Sequence, residues 1–221
     1  HNHSHDHSHG HSSDASRRIG WAFFLNLCFT VIEFIGGILT NSTAILADAV
    51  HDLGDSISIG MAWLLDKFSR KDATQTFTYG YQRLSLVGAF INAVVLTAGS
   101  IWILFEAIPR LWNPVMPMAE GMALLAVFGV IVNGYAAFKL SHGKSLNERV
   151  LNWHLLEDVL GWVAVLIVSI ILIFVDWPIL DPLLSIGFTL FILVNVLRHL
   201  GSTVKLFVQA SPDPEVYRKI R

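Results

Sequence analysis

The chain has 221 residues, of which 53% are hydrophobic and 14% charged, with a net charge of −2. That balance excludes an ordinary soluble domain, and a charge so near zero offers nucleic acid no partner. The single cysteine, Cys28, excludes an intrachain disulfide and a thiolate metal cage.

His1, His3, His5, His7, His9 and His11 open the chain, alternating with Asn, Ser, Asp and Gly. Such a tract has nothing apolar to bury, so residues 1–16 are expected to form a disordered tail that binds metal weakly and exchangeably. Its mixed spacers, and its unbroken run into Ser12-Ser13-Asp14, read as natural sequence rather than a purification tag.

Residues 17–208 hold six apolar stretches near 20 residues, each long enough to cross the hydrocarbon core. They are Ile19–Leu39, Thr43–Leu65, Leu84–Ile108, Met118–Leu140, Leu151–Val175 and Leu180–Leu200. Helix is the only open-chain solution, because unpaired backbone groups cannot face lipid. The fold class expected is therefore an all-α membrane protein with six transmembrane helices. Of the 15 Lys and Arg, all but Arg110 fall on the side of the N-terminus or near it. That asymmetry predicts both termini in the cytoplasm, with residues 209–221 starting a C-terminal cytoplasmic segment. The opposite loops are short: Thr40-Asn41-Ser42, Trp112-Asn113-Pro114 and Asp176-Trp177-Pro178.

Ionisable groups at membrane depth cost about 2.5–3.5 kcal/mol or more and mark function by default. The second stretch carries Asp48, His51, Asp52 and Asp55; the fifth carries His154, Glu157 and Asp158. Both contain His-x-x-x-Asp, and a four-residue step brings two side chains onto one helix face. Two such helices side by side offer two imidazoles and two carboxylates, His51, Asp55, His154 and Asp158. That is a tetrahedral set suited to zinc. One divalent ion neutralises two carboxylates; without it, protons must take its place. Asp52 and Glu157 each sit one residue from a candidate ligand and point about 100° away, so they read as supporting or cavity-lining groups. Asp48 shares a stripe with positions 51 and 55 and reads as part of the ion's path or a proton relay. For Asn26, Asn92, Asn133 and Asn195, an interhelical hydrogen bond is the reading preferred.

The plain alternative is a polar network that only glues helices, but two matched pairs exceed what glue requires. A passive divalent-metal channel needs weaker or multiple sites. Four N/O ligands suit Zn2+, with Co2+ close behind, while Cd2+ prefers sulfur.

Several segments carry a resemblance. Ser42-Thr-Ala-Ile-Leu-Ala-Asp48-Ala-Val-His51-Asp-Leu-Gly-Asp55 resembles the second span of the cation diffusion facilitator family. Phe77-Thr-Tyr-Gly-Tyr-Gln-Arg83 is similar to its loop into span three, Ser145-Leu-Asn-Glu-Arg149 with His154 and Asp158 to its span five, and Asp181-Pro182 to its span six. The most similar branch is the zinc-exporting one with His and Asp on both helices. The resemblance implies a homodimeric secondary transporter of a bacterial inner membrane that exports Zn2+ in exchange for H+. It uses no organic cofactor and catalyses no covalent reaction, and zinc is its substrate. An antiporter for another divalent metal such as Co2+ or Cd2+ is the alternative. The resemblance also implies a cytoplasmic metal-binding domain of ferredoxin-like fold beginning just past Ser211-Pro212-Asp213-Pro214, which these 221 residues do not include.

Overall fold

In hydrocarbon a segment can pair its N–H and C=O groups only within itself, and each of the six apolar stretches accordingly folds as an α-helix. The computed structural model describes the backbone of residues 10–69, 82–140 and 146–207, and the side chains of 20–65, 86–138 and 155–201. The helices are α1 (Gly10–Thr40), α2 (Thr43–Ser69), α3 (Gln82–Ala107), α4 (Ala119–Leu140), α5 (Leu146–Phe174) and α6 (Leu180–Phe207). A 3-10 turn at Pro109–Leu111 follows α3, and no strand occurs among the described residues.

Several helices outrun their apolar stretches, because backbone hydrogen bonding continues where hydropathy stops. Helix α1 takes in residues 10–16, placed with the tail above; α5 starts at Leu146 and α6 runs to Phe207. Among the described residues, five of the six are long and apolar enough to span a membrane. Helix α2 has 27 residues, about 40 Å, and is the exception in composition only, since Asp48, Asp52 and Asp55 interrupt its apolar run.

That exception is explained by position. Helix α2 packs against α1, α3 and α6, and both core clusters of the protein contain it. Ala44 and Ile45 join Met122 of α4 and Trp162 and Val165 of α5. Ala47 and Val50 join Leu96 and Ile103 of α3 and Ile192 of α6. Large apolar side chains such as Leu25, Phe105, Leu124, Phe138, Leu160 and Phe191 point outward from the other helices. Such exposure suits lipid rather than water.

The loop after α1, the loop after α3 and the start of α6 meet at one end of the bundle. Asn41 closes α1 in the left-handed region (φ 55°), where Asn is tolerated, and the Ser42 N–H reaches back to the Gly37 carbonyl at 3.0 Å. Arg110 donates to the Asn41 carbonyl (2.8 Å) and to its Oδ1 (2.9 Å), and the Met118 N–H to the Thr40 carbonyl (2.8 Å). Asp181, the second residue of α6, covers the start of α2. Its carboxylate accepts from the Thr43 and Ala44 N–H groups, while the Ser42 Oγ accepts from Ile45. The first three N–H groups of α2, which have no partner inside the helix, are all paired this way. This staple sets the relative height of α2 and α6, and with it the depth of everything α2 carries.

Candidate metal centre

Helix α2 presents its polar residues on two faces. His51 and Asp55, one turn apart, face α5; the His51 Nε2 lies 3.8 Å from the Asp55 Oδ2 and 3.8 Å from the Asp158 Oδ1. One ligand atom from each of His51, Asp55 and Asp158 lies within 4.8 Å of the others, and all three residues are half-buried. A zinc ion with ligands at about 2.0–2.1 Å sets tetrahedral donor atoms roughly 3.4 Å apart. The 3.8 Å separations are thus about 0.4 Å wider than a filled site, within the reach of small side-chain rotations. His154 lies on α5 one turn before Asp158; its side chain lies outside those described, as do the tail histidines His1, His3, His5, His7, His9 and His11.

Asp48 lies one turn above His51, buried, with its Oδ2 lacking a hydrogen-bond donor among the described residues. It lines a cavity of about 280 Å³ with His51, Glu157 and Asp158, and Gly161 of α5 leaves room beside it. Glu157 is exposed and lines the same cavity.

Asp52 faces the other way. It is 5% exposed and lies against α1, its carboxyl beside that of Glu33, itself 1% exposed. Among the described residues neither oxygen of Glu33 meets an N–H or hydroxyl donor. Two carboxyl groups in contact form a hydrogen bond only when a proton lies between them. Around the pair runs a polar seam joining α1 to α2: Asn26 Nδ2 donates to Ser56 Oγ (2.9 Å) and to the Asp52 carbonyl (3.2 Å), and Thr30 Oγ1 lies 3.3 Å from Ser56 Oγ. Asn92 likewise bonds across helices, donating to Ser58 Oγ at 2.9 Å. Asn133 does not: its amide donates to the Gly129 carbonyl of its own helix at 3.1 Å, because the i−4 carbonyl is the nearest acceptor on that face.

The site therefore gathers His51, Asp55 and Asp158 within a few ångströms, with Asp48 on the wall of the adjoining cavity and Glu33 and Asp52 on the α1 side. Among the described residues Glu33, Asp48 and Asp52 pair with no lysine or arginine. Carboxyl groups gathered in an apolar bundle must be balanced by protons or by a bound cation. Sequence patterns alone did not bring out Glu33 as the neighbour of Asp52, or Asp181 as the cap of α2. The Asp-Pro pair at 181–182 announces a helix start, but nothing in it names a partner on α2.

Residues 21–208 match the model of the cation efflux transmembrane domain. The chain is 38% identical over 216 residues to the zinc transporter ZitB of Escherichia coli (strain K12), covering 96% of this chain and 69% of that protein. It is 34% identical over 216 residues to ZitB of Pectobacterium atrosepticum, covering 96% and 66%. With the cadmium, cobalt and zinc/H(+)-K(+) antiporter of Bacillus subtilis it shares 33% identity over 196 residues, covering 87% and 63%. The chain spans about two thirds of the length of these relatives.

Proposed function

The chain belongs to the cation efflux family, and from that membership we propose that it is a secondary transporter exporting Zn2+ in exchange for H+. The observation that carries the reading is the meeting of His51 and Asp55 with Asp158 across two helices, each ligand atom within 4.8 Å of the others. His154, one turn from Asp158, completes a tetrahedral set of two imidazoles and two carboxylates. The relatives' names support both halves of the exchange, zinc in ZitB and protons in the Bacillus subtilis antiporter.

Proton coupling follows from charge. Two ligand carboxylates and one Zn2+ leave a near-neutral site; the emptied site can return through the membrane only if protons replace the lost charge. Alternating access needs two conformations that the metal and the protons favour differently. No covalent chemistry and no organic cofactor are required. The protein is placed in a bacterial inner membrane with both termini cytoplasmic, and acts as a homodimer.

A wider metal range is the second reading, favoured by the relative named for cadmium and cobalt as well as zinc. The donor set argues for zinc and cobalt over cadmium: the lone thiol, Cys28, is exposed on α1 and is not among the residues gathered at the site. Zinc flux into proteoliposomes, with and without an imposed pH gradient, tests the proposal. Uphill zinc accumulation that survives collapse of the gradient, with no other ion gradient or nucleotide present, contradicts it.

A further inference from the structure

A cavity of about 590 Å³ opens between α2, α3 and α6, with His51 and Asp55 at one end and His199 and Leu200 at the other. Its polar lining is arranged in sequence rather than scattered. His51, Asp55 and Ser58 share one face of α2, Asn92 stands on α3, and Asn195 and His199 share one face of α6. Because Thr43 and Asp181 are hydrogen-bonded to each other, depth along both helices can be measured from that common level. At 1.5 Å per residue, His51 lies about 12 Å below it, Asp55 about 18 Å, Asn195 about 21 Å, Ser58 about 22 Å and His199 about 27 Å. The cavity thus descends about 15 Å along the two helices.

The second observation is Asn92. Its amide nitrogen donates to Ser58 Oγ at 2.9 Å, which fixes the orientation of the group. The other end, Oδ1, is a buried acceptor with no donor among the described residues. A buried oxygen without a donor calls for a water or a cation. Apart from Asp55, every polar side chain of the cavity lining is an amide, a hydroxyl or an imidazole, so no carboxylate there would trap an ion short of the centre. His199 is exposed at the open end.

We propose that Asn92, Asn195 and His199 form a transit site for the transported divalent cation, which holds it weakly before it reaches His51 and Asp55. This rests on the zinc-export reading above. Amide oxygens replace part of the hydration shell, and the imidazole favours a borderline transition metal over Ca2+ or Mg2+. Neutral donors bind loosely enough to let the ion move on, as a multi-site pathway requires.

The test is the zinc dependence of flux in proteoliposomes of the full chain, measured with wild type, His199→Ala, Asn195→Ala, Asn92→Asp and Asp55→Ala. Removing the imidazole or the Asn195 amide should raise KM for zinc about tenfold with kcat little changed. Asn92→Asp sets a charge at the transit site, so KM should fall and kcat should fall with it as the ion lingers. Unchanged KM in the alanine variants, or a loss confined to kcat, overturns the transit site, as does an Asn92→Asp protein with wild-type kinetics. Asp55→Ala separates the two readings: wild-type flux in that variant removes the transport site itself, whereas its loss beside unaltered His199 and Asn92 variants removes only the transit site.

Discussion

The carboxylate of Asp181, at the start of α6, accepts hydrogen bonds from both the backbone N–H (2.7 Å) and the hydroxyl (2.8 Å) of Thr43, the first residue of α2. Ser42 Oγ at 2.5 Å and the Ala44 N–H at 3.2 Å add two more to the same group. An anion at a helix N-terminus also faces the positive end of the backbone dipole. Ser185, one turn along α6, donates to the Thr43 carbonyl at 2.9 Å. Helix α2, which carries half of the metal centre, and helix α6, which lines the cavity beside it, are thus pinned together at one end.

Asp181→Asn keeps the shape but turns one acceptor into a donor aimed at donors. With charged hydrogen bonds contributing about 1.5–3 kcal/mol each, the substitution should cost on the order of 3 kcal/mol, or roughly 10 °C in melting temperature. Ser185→Ala removes one neutral bond and should cost only about 1 kcal/mol. Thermal unfolding in detergent compares the two, and equal melting temperatures for Asp181→Asn and wild type would show that the staple carries no stability.

Helices α4 and α5 meet at Gly129, where a Cβ would run into the indole of Trp162. Trp162 is 1% exposed and anchored in the core, so it has nowhere to move. Small residues permit such close approach between membrane helices. Gly129→Val should therefore destabilise by about 1–3 kcal/mol through overpacking. Because Trp162 stands one turn past Asp158 on α5, the shift should also weaken zinc binding. A Gly129→Val protein that melts and binds zinc like wild type would rule out this contact as the anchor of α5.

The spans were legible because lipid imposes one rule on every segment, and apolar length is enough to apply it. Helix α2 shows the limit of that rule: its length and sequence pattern mark a span, while Asp48, Asp52 and Asp55 break the apolar run. The pairing of His51 with Asp55 on one face is a matter of helical period and needs no fold. Which helix stands opposite is decided by packing, and 107 residues separate His51 from Asp158. Contacts between helices, whether 139 residues apart like Asp181 with Ser42 or on neighbouring helices like Glu33 beside Asp52, leave no local signal, because partners across helices obey no fixed spacing in sequence. Asn133 teaches the same lesson in reverse, its amide taking the carbonyl four residues back rather than a neighbouring helix.

Loss of either ligand carboxylate should abolish export. Asp55→Ala or Asp158→Ala removes both a donor and the charge that balances the ion, and outer ligands alone are already worth about 10–100-fold. Zinc flux should drop by at least about 100-fold while the protein still inserts and elutes as a folded species from size exclusion. Near-normal flux in either variant would sink the assignment of the centre.

The histidine tail should modulate supply rather than drive the cycle. Six imidazoles lie within residues 1–13 among Asn, Ser, Asp and Gly, so each bound zinc should exchange readily and be displaced by protons. Tethering raises the local ion concentration near the bundle, which matters only when zinc is scarce. A driving role would require the tail to bind differently in the two transport states, because a group that does not distinguish them cannot shift their balance. Deleting His1 through Ser13 should therefore raise the apparent KM for zinc and leave the maximal rate unchanged. The measurement is flux at limiting and at saturating zinc for the shortened and intact chains. Arrest of transport at saturating zinc would mean that the tail belongs to the transport machinery itself.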